Sequence, residues 1–354
     1  MKSQSLWALP LVSSVLLLYH LAGAIEPSAL PVFVLDFDES PSTRYNQLFT
    51  YFNESIKDME MLFLHSVSTR YHDLFRNQTE RFREHNPEAF YSMESLAKII
   101  GMETWQTLLV NSIVDFSSFC TSVIARMENG TVLHARNLDF DFPDRMVKLV
   151  YKALIKKGGV IVAEAPAIAG YIGFYTGLKY NTFTVSYNVR FLRTNMSDIL
   201  ENIDREFEAG VTPTAQLIQK ALLESHSYTE AVETLSYKNI NTPCYIIVGG
   251  KQPEEGIVIT RDPYGVNQTQ TLSESHWYVA QTNIDFWRRN DPRYNATVSS
   301  LETLTQKNVS PISLVTDVLH QPGVLQTITI FTATMSSSLD FLDVYLIERP
   351  SAII

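Results

Sequence analysis

The pattern of apolar and polar positions changes character once along the chain, near Cys120. Before that point Tyr45, Leu48, Phe49, Phe52, Ile56, Met59 and Phe63 recur at helical spacing and mark one amphipathic face with an aromatic stripe. Such a stripe packs into a core in most proteins and docks on a membrane surface in some. A second helical run spans Met93 to Asp115 with an interruption at Gly101, and the polar stretch "RNQTERFREHNPEAF" reads as a separator between the two. One strand comes earlier, in "PVFVLDFD" (31–38), followed by the helix-starting stretch "ESPSTR". After Cys120 the period becomes that of strands: "TSVIARM", "TVLHARNLDF", "GVIVAEAP", "FTVSYNVRF", "CYIIVGG", "GIVITRD", "WYVAQTN", "TITIFTATM" and "FLDVYLIE". Helical patterns return at Asp198 to Glu208, Thr214 to Leu235 and Pro311 to His320. Many strands with interspersed helices predict an α+β domain whose sheets are covered by helices.

Composition narrows the class. With 354 residues, 45% of them hydrophobic and 19% charged, the chain can bury a large core. A net charge of -10 and the lack of Lys/Arg runs argue against a nucleic-acid partner. Lys2, the apolar run Leu6 to Leu18 and the small residues Ala22-Gly23-Ala24 read as a signal peptide over 1–24, because the run is shorter than the ~20 residues of a membrane span. Seven Asn-x-Ser/Thr sequons, at Asn53, Asn77, Asn129, Asn195, Asn267, Asn295 and Asn308, are glycosylation candidates and fit a secretory route. No repeat or flexible linker divides the rest, so the shift at Cys120 marks a processing point better than a domain boundary.

Several motifs fail on spacing. "VGGKQ" lacks the other residues of a phosphate loop, Gly170, Gly173 and Gly177 are misplaced for a dinucleotide site, and no G-x-S-x-G occurs. The eight histidines form no metal-ligand pattern. Neither a cofactor nor a metal is expected, and His134 is expected to pack or hydrogen-bond within its strand.

Cys120 and Cys244 would form one disulfide by default in an oxidising compartment, yet a domain this large hardly needs a single staple. A chemical use for Cys120 is therefore worth weighing. Asn129-Gly130 is a strong hairpin signal, and with a two-residue loop Glu128 pairs with Thr131 and Cys120 falls opposite Asp139. Arg136 then has the opposite parity, unless a bulge or longer turn shifts the register. If the chain is cut between Phe119 and Cys120, the cysteine carries a thiol and a free α-amino group, an arrangement in which the amine serves as base. At pH 5 an unperturbed thiol is thiolate in only about one molecule in three thousand. A cation such as Arg136 would favour thiolate and neutral amine, and Asp139 would orient the amine.

"FCTSVIA…NGTVLHARNLDF" resembles the start of the catalytic subunit in the N-acylethanolamine acid amidase and acid ceramidase family, lipid amidases of the N-terminal nucleophile hydrolase superfamily. The likeness extends through "GYIGFYTGL", "FTVSYNVRF", "YIIVGG", "GIVITRD", "QTNIDFW" and "TIFTATM". The resemblance implies an αββα sandwich made as an inactive lysosomal or secreted precursor. That precursor cuts itself in acid into a helical α-subunit (25–119) and a catalytic β-subunit (120–354), which stay associated. It implies Cys120 as nucleophile, Arg136 and Asp139 as activating partners, Asn283 as oxyanion-hole side chain, and long-chain fatty acyl amides as substrates. Arg293 in "NDPRY" resembles a family arginine, with a poor local match. One departure stands out: the family has a glutamate, associated with catalysis or self-cleavage, where this chain has Val189. The Val189 backbone N–H is still an oxyanion candidate, and Asn188 beside it is a partial substitute. Phe119, the Arg-Asn-Leu-Asp run and the lack of extra C-terminal cysteines resemble the ethanolamide branch more than the ceramidase.

Overall fold

The strands of the described residues, numbered β1 to β15 in chain order, build two stacked sheets and one short separate pair. The computed structural model describes residues 25–114, 118–190, 204–288 and 290–348; the expected signal segment 1–24 and the sequon at Asn195 lie outside them. The larger sheet has the spatial order β1 (Val32–Asp36), β4 (Val150–Lys157), β5 (Val160–Ile168), β6 (Thr176–Lys179), β7 (Phe183–Val189), β10 (Cys244–Gly249), β11 (Gly256–Asp262) and β12 (Gly265–Thr271). The smaller sheet runs β13 (Tyr278–Gln281), β2 (Ser118–Arg126), β3 (Val132–Phe140), β14 (Thr329–Ser336) and β15 (Phe341–Leu346). A short parallel pair, β8 (Val211–Thr212) and β9 (Asn239–Ile240), lies apart.

Helices Thr214–Glu224 and Tyr228–Tyr237 pack against the larger sheet. Helix Pro292–Leu304 and the expected helical segment, present over 311–319, pack against the smaller one, where Val123, Ala125, Leu133 and Ala135 meet Leu301, Leu314 and Val318. Alternation along each strand therefore sends one set of side chains to a helical layer and the other set between the sheets. At one end the interlayer space is apolar, filled by Ile124, Val132, Tyr245, Ile247 and Val258. Toward Cys120 it becomes polar. This is the expected αββα sandwich.

The segment before Cys120 is woven into the same body. Strand β1 pairs in parallel with β4 at the sheet edge, so removing this segment would strip a strand from the larger sheet. Helices α1 (Asn46–Tyr51), α2 (Asn53–Ser66), α3 (Thr69–His85), α4 (Pro87–Ile100) and α5 (Thr104–Val114) follow. All seven residues of the aromatic stripe are buried, so that stripe faces the core and not a lipid surface. Gly101 ends α4 in the left-handed region, at φ 70°.

The polar stretch expected to separate two helices is instead helical, forming most of α3 and the start of α4. The buried seam of α3 is only Tyr71, Phe75 and Phe82 wide, too narrow to stand out among the charged and polar residues of its 17 positions, yet enough to dock one edge of a helix. The expected helix Thr214 to Leu235 is two helices, because Ser227 accepts the Glu230 N–H and caps a new start. All nine expected strands after Cys120 are present. Strand β12, which was not expected, is an edge strand whose "GVNQTQT" side chains are largely exposed; without a buried face it has no period to read.

Candidate active site

The hairpin that carries Cys120 differs from expectation by one residue. Gly130 N–H donates to the Met127 carbonyl at 3.0 Å, Met127 N–H to the Thr131 carbonyl at 2.9 Å, and Gly130 has φ 88°. Glu128, Asn129 and Gly130 thus form a three-residue loop, a turn closed by a left-handed glycine, in place of the two-residue turn. Arg126 pairs with Val132, Ser122 with Arg136 and Cys120 with Leu138, while Asp139 faces Phe119. A slip of one residue exchanges the faces of every side chain on the strand. Arg136 therefore shares the inter-sheet face with Cys120 as its diagonal neighbour, and Asp139 turns away.

Arg136 is fully buried. Its Nη2 donates to Cys120 Sγ at 2.7 Å, and Nη1 donates to Thr176 Oγ1 at 2.6 Å and to the Tyr175 carbonyl at 3.4 Å. No carboxylate pairs with this guanidinium among the described residues. A buried cation without a carboxylate partner favours negative charge on the nearest ionisable atom, which is the sulfur. Cys120 and Cys244 are both buried, and no disulfide joins them, so the default pairing is absent.

Asp139 reaches the backbone nitrogen of Cys120 by relay. Its carboxylate accepts from Thr329 Oγ1 at 2.7 Å and pairs with Arg293 Nη1 at 3.0 Å. Arg293 Nη2 donates to Asn283 Oδ1 at 2.6 Å, and the same oxygen accepts the Cys120 N–H at 2.7 Å. Two donors on one atom settle which end of the Asn283 amide is oxygen. The other end, Nδ2, donates to the Val189 carbonyl at 2.8 Å in this uncut chain. Burial pushes the Asp139 carboxyl up, and the Arg293 charge, the Thr329 hydrogen bond and Arg136 pull it part of the way back. The expected direct contact between Asp139 and the amine is thus replaced by a path through two intermediaries, because the shifted register points Asp139 to the outer face.

Around the cysteine the two sheets are joined by polar side chains. Ser122 Oγ donates to Asn188 Oδ1 at 2.9 Å and lies 3.1 Å from Ser186 Oγ. Asn188 Nδ2 donates to the carbonyls of Gln281 and Thr282, so Asn188 is committed to holding strands together, and its parity is opposite to that of Val189. His134, expected to pack or hydrogen-bond within its strand, bridges across the sheets to Thr184 Oγ1 at 3.1 Å and Ser186 Oγ at 2.9 Å. Burial, aided by the Arg136 charge, pushes its pKa down to about 3, and it stays neutral. Beyond Val189, Arg190 pairs with Asp285, which also accepts from Tyr245 Oη at 2.7 Å. Burial raises Asp285, but the Arg190 and Tyr245 hydrogen bonds outweigh it and hold the carboxyl below its usual value.

The structure thus brings Cys120, Arg136, Asn283 and the Val189 backbone directly together, with Asp139 one relay away. Thr176, Thr329, Ser122 and Ser186 had no mark in the sequence. Arg293 had one: Asp291-Pro292 is a helix cap followed by a first-turn proline, and Asp291 accepts the Arg293 N–H at 3.0 Å. Among the described residues no cluster of His, Cys, Asp or Glu is arranged to hold a metal. Of the sequons in the described residues, Asn77, Asn129, Asn267, Asn295 and Asn308 are exposed and Asn53 is partly buried.

A sandwich of this kind, with a buried cysteine at the head of β2 beside an arginine, defines an amide hydrolase of the N-terminal nucleophile fold. The chain belongs to the linear amide C–N hydrolases, choloylglycine hydrolase family, whose model matches residues 120–319 and so begins at Cys120 itself. It is 28% identical to the N-acylethanolamine-hydrolyzing acid amidase of Rattus norvegicus, over 93% of this chain and 91% of that protein. To the acid ceramidase of Mus musculus it is 32% identical, over 69% of this chain and 66% of that one. The solved structure of the Caenorhabditis elegans N-acylethanolamine-hydrolyzing acid amidase ortholog superimposes with a TM-score of 0.60 at 27% identity, covering 65% of this chain and all of that one.

Proposed function

We propose that this protein is a lysosomal or secreted cysteine amidase that cuts itself before Cys120 and then hydrolyses fatty acylethanolamides to fatty acid and ethanolamine. The observation that carries the reading is the 2.7 Å contact of Arg136 Nη2 with Cys120 Sγ, next to a Cys120 nitrogen already held by Asn283. In self-cleavage Sγ adds to the Phe119 carbonyl carbon, the bond to the Cys120 nitrogen breaks, and that nitrogen takes the thiol proton. Water then hydrolyses the thioester, leaving an α-subunit and a β-subunit with a free amino terminus.

In turnover the sulfur adds to the substrate carbonyl while the α-amino group, held on Asn283 Oδ1, carries the thiol proton to the departing amine, and water then hydrolyses the acyl thioester, releasing the fatty acid and restoring the thiol. Asn283 Nδ2, released from the Val189 carbonyl, and the Val189 backbone N–H are the donors assigned to the oxyanion. Arg293 and Asp139 hold Asn283 in place. Val189 leaves no carboxylate at the family's glutamate position, so the proton work falls to the α-amino group. The likeness to a ceramidase favours a second reading, ceramide as the substrate, with a bulkier leaving amine.

The test is acidification of the purified precursor, followed by N-terminal sequencing and hydrolysis of a fatty acylethanolamide beside a ceramide. Two fragments, a new N-terminus at Cys120 and turnover of the ethanolamide are expected, with both cleavage and turnover lost in Cys120→Ala. An intact, inactive wild type rejects the proposal. Retention of lipid amide without turnover would mark a binding protein silenced at Val189.

A further inference from the structure

The glycines that are misplaced for a dinucleotide site have another use in this fold. A Cβ on Gly170 would come within 2.7 Å of Ile56 in α2, one on Gly173 within 2.7 Å of the Ala215 backbone, and one on Gly177 within 2.6 Å of Leu222, so each glycine lets the chain lie close against a helix. Asn111 of α5 adds two hydrogen bonds, donating to the Gly170 carbonyl at 3.0 Å and accepting the Ile172 N–H at 2.9 Å. The segment 170–177 is thus clamped from both halves of the chain, by α2 and α5 before Cys120 and by helix Thr214–Glu224 after it. Packing this close holds the segment in one place.

The clamped segment ends on Arg136. Thr176, fully buried at the start of β6, lies directly opposite Ser186 of β7 and so points between the sheets with it. Arg136 reaches across from β3 and finds three acceptors among the described residues: Cys120 Sγ through Nη2, and Thr176 Oγ1 and the Tyr175 carbonyl through Nη1, while Nε has none. At 2.6 Å the threonine bond is short, whereas the carbonyl at 3.4 Å lies at the far limit of a hydrogen bond. Threonine is stiff at χ1, so an oxygen carried there has a fixed place. Without it Nη1 keeps one long contact, and the guanidinium is free to turn away from the sulfur. His134, two residues back on the same face of β3, stays neutral, and Asp139 looks outward. Glu60 of α2, 3% exposed and without a hydrogen-bond partner for either carboxylate oxygen among the described residues, lines a small cavity beside Gly170 and is bonded to neither Arg136 nor Cys120.

Resting on the amidase reading, we infer that Thr176 is a positioning residue of the reaction: its hydroxyl oxygen fixes the Arg136 guanidinium against Cys120 Sγ and so sets how readily the sulfur carries negative charge. The hydroxyl itself neither attacks nor moves a proton. It acts through Arg136 alone.

The experiment follows the ultraviolet absorbance of the thiolate against pH in the purified full chain, with the Cys120→Ser trace subtracted, and measures kcat and KM for a fatty acylethanolamide and a ceramide after acid processing. Thr176→Val, which keeps the shape and removes the oxygen, is expected to move the Cys120 titration up by about one to two units and to lower kcat by about 10–100-fold with KM unchanged, the size of one hydrogen bond to a charged group. Thr176→Ser restores the oxygen and stays close to the wild type in both readings, which a purely packing role for the methyl group would not allow. Thr176→Ala gives the same readings where Thr176→Val does not fold. An unmoved titration in the folded Thr176→Val or Thr176→Ala protein, or a Thr176→Ser protein that fails as Thr176→Val does, overturns the inference. A titration that moves in a chain whose wild type cuts neither ethanolamide nor ceramide upholds Thr176 and rejects the amidase reading; turnover by the wild type with the titration unmoved in Thr176→Val does the reverse.

Discussion

Replacing Glu60 by Gln should flatten part of the dependence of stability on pH, with a sign and size that follow from burial. The carboxyl ionises at about 8 in the folded protein against an ordinary value of 4.5. Between those limits the unfolded chain has released the proton and the folded chain has kept it. The folded state binds more protons, so this residue's contribution to stability falls as pH rises, by about 1.4 kcal/mol per unit. From pH 5 to pH 7 the loss is about 2–3 kcal/mol, and across the whole window about 5 kcal/mol. Glutamine does not titrate, and other groups cancel when the two proteins are compared at each pH. Urea unfolding followed by tryptophan fluorescence at pH 5, 6 and 7 measures the difference directly. The wild type should weaken relative to Glu60→Gln by that amount on going from pH 5 to pH 7. A difference constant to within about 0.5 kcal/mol would show that Glu60 is solvated or paired and refute the reasoning.

Other outcomes follow from the site and its frame. Arg136→Leu should lower both self-cleavage and amide hydrolysis by about 10²–10³ in rate, and Arg136→Lys should fail similarly, since a point ammonium cannot hold Thr176 and Sγ together. His134 should stay neutral, so the pH–rate profile should show no limb near 6.5 that disappears in His134→Gln; such a limb would contradict its buried, neutral state. Gly173→Ala should cost about 3 kcal/mol or more in thermal or urea unfolding, because φ is 118° and the new Cβ would come within 2.7 Å of the Ala215 backbone. Thiol titration of the denatured, unreduced chain should count two thiols.

Much of the site was legible because its chemistry-bearing residues sit on one continuous stretch. Cys120, Arg136 and Asp139 are named by a cysteine, a turn signal and a charged run, and Asn283 by its "QTNIDFW" context. Their relation was harder. Asn129-Gly130 serves a two-residue turn and a three-residue turn equally well, and the choice between them decides whether Arg136 or Asp139 shares a face with the sulfur. Helix α3 was missed for a related reason, since two phenylalanines and a tyrosine among charges dock a helix only when a groove exists to receive them.

By itself the sequence determined the class of each segment, the period of its buried face and the presence of a cysteine with a cation and a carboxylate nearby, because these are local properties of spacing and residue type. Tertiary structure alone decided the strand register, the relay from Asp139 through Arg293 and Asn283, and the burial of Glu60 without a partner. Each of those depends on groups distant along the chain being pressed together in a space from which water is excluded, where a one-residue shift or a single unmatched oxygen changes what the site can do.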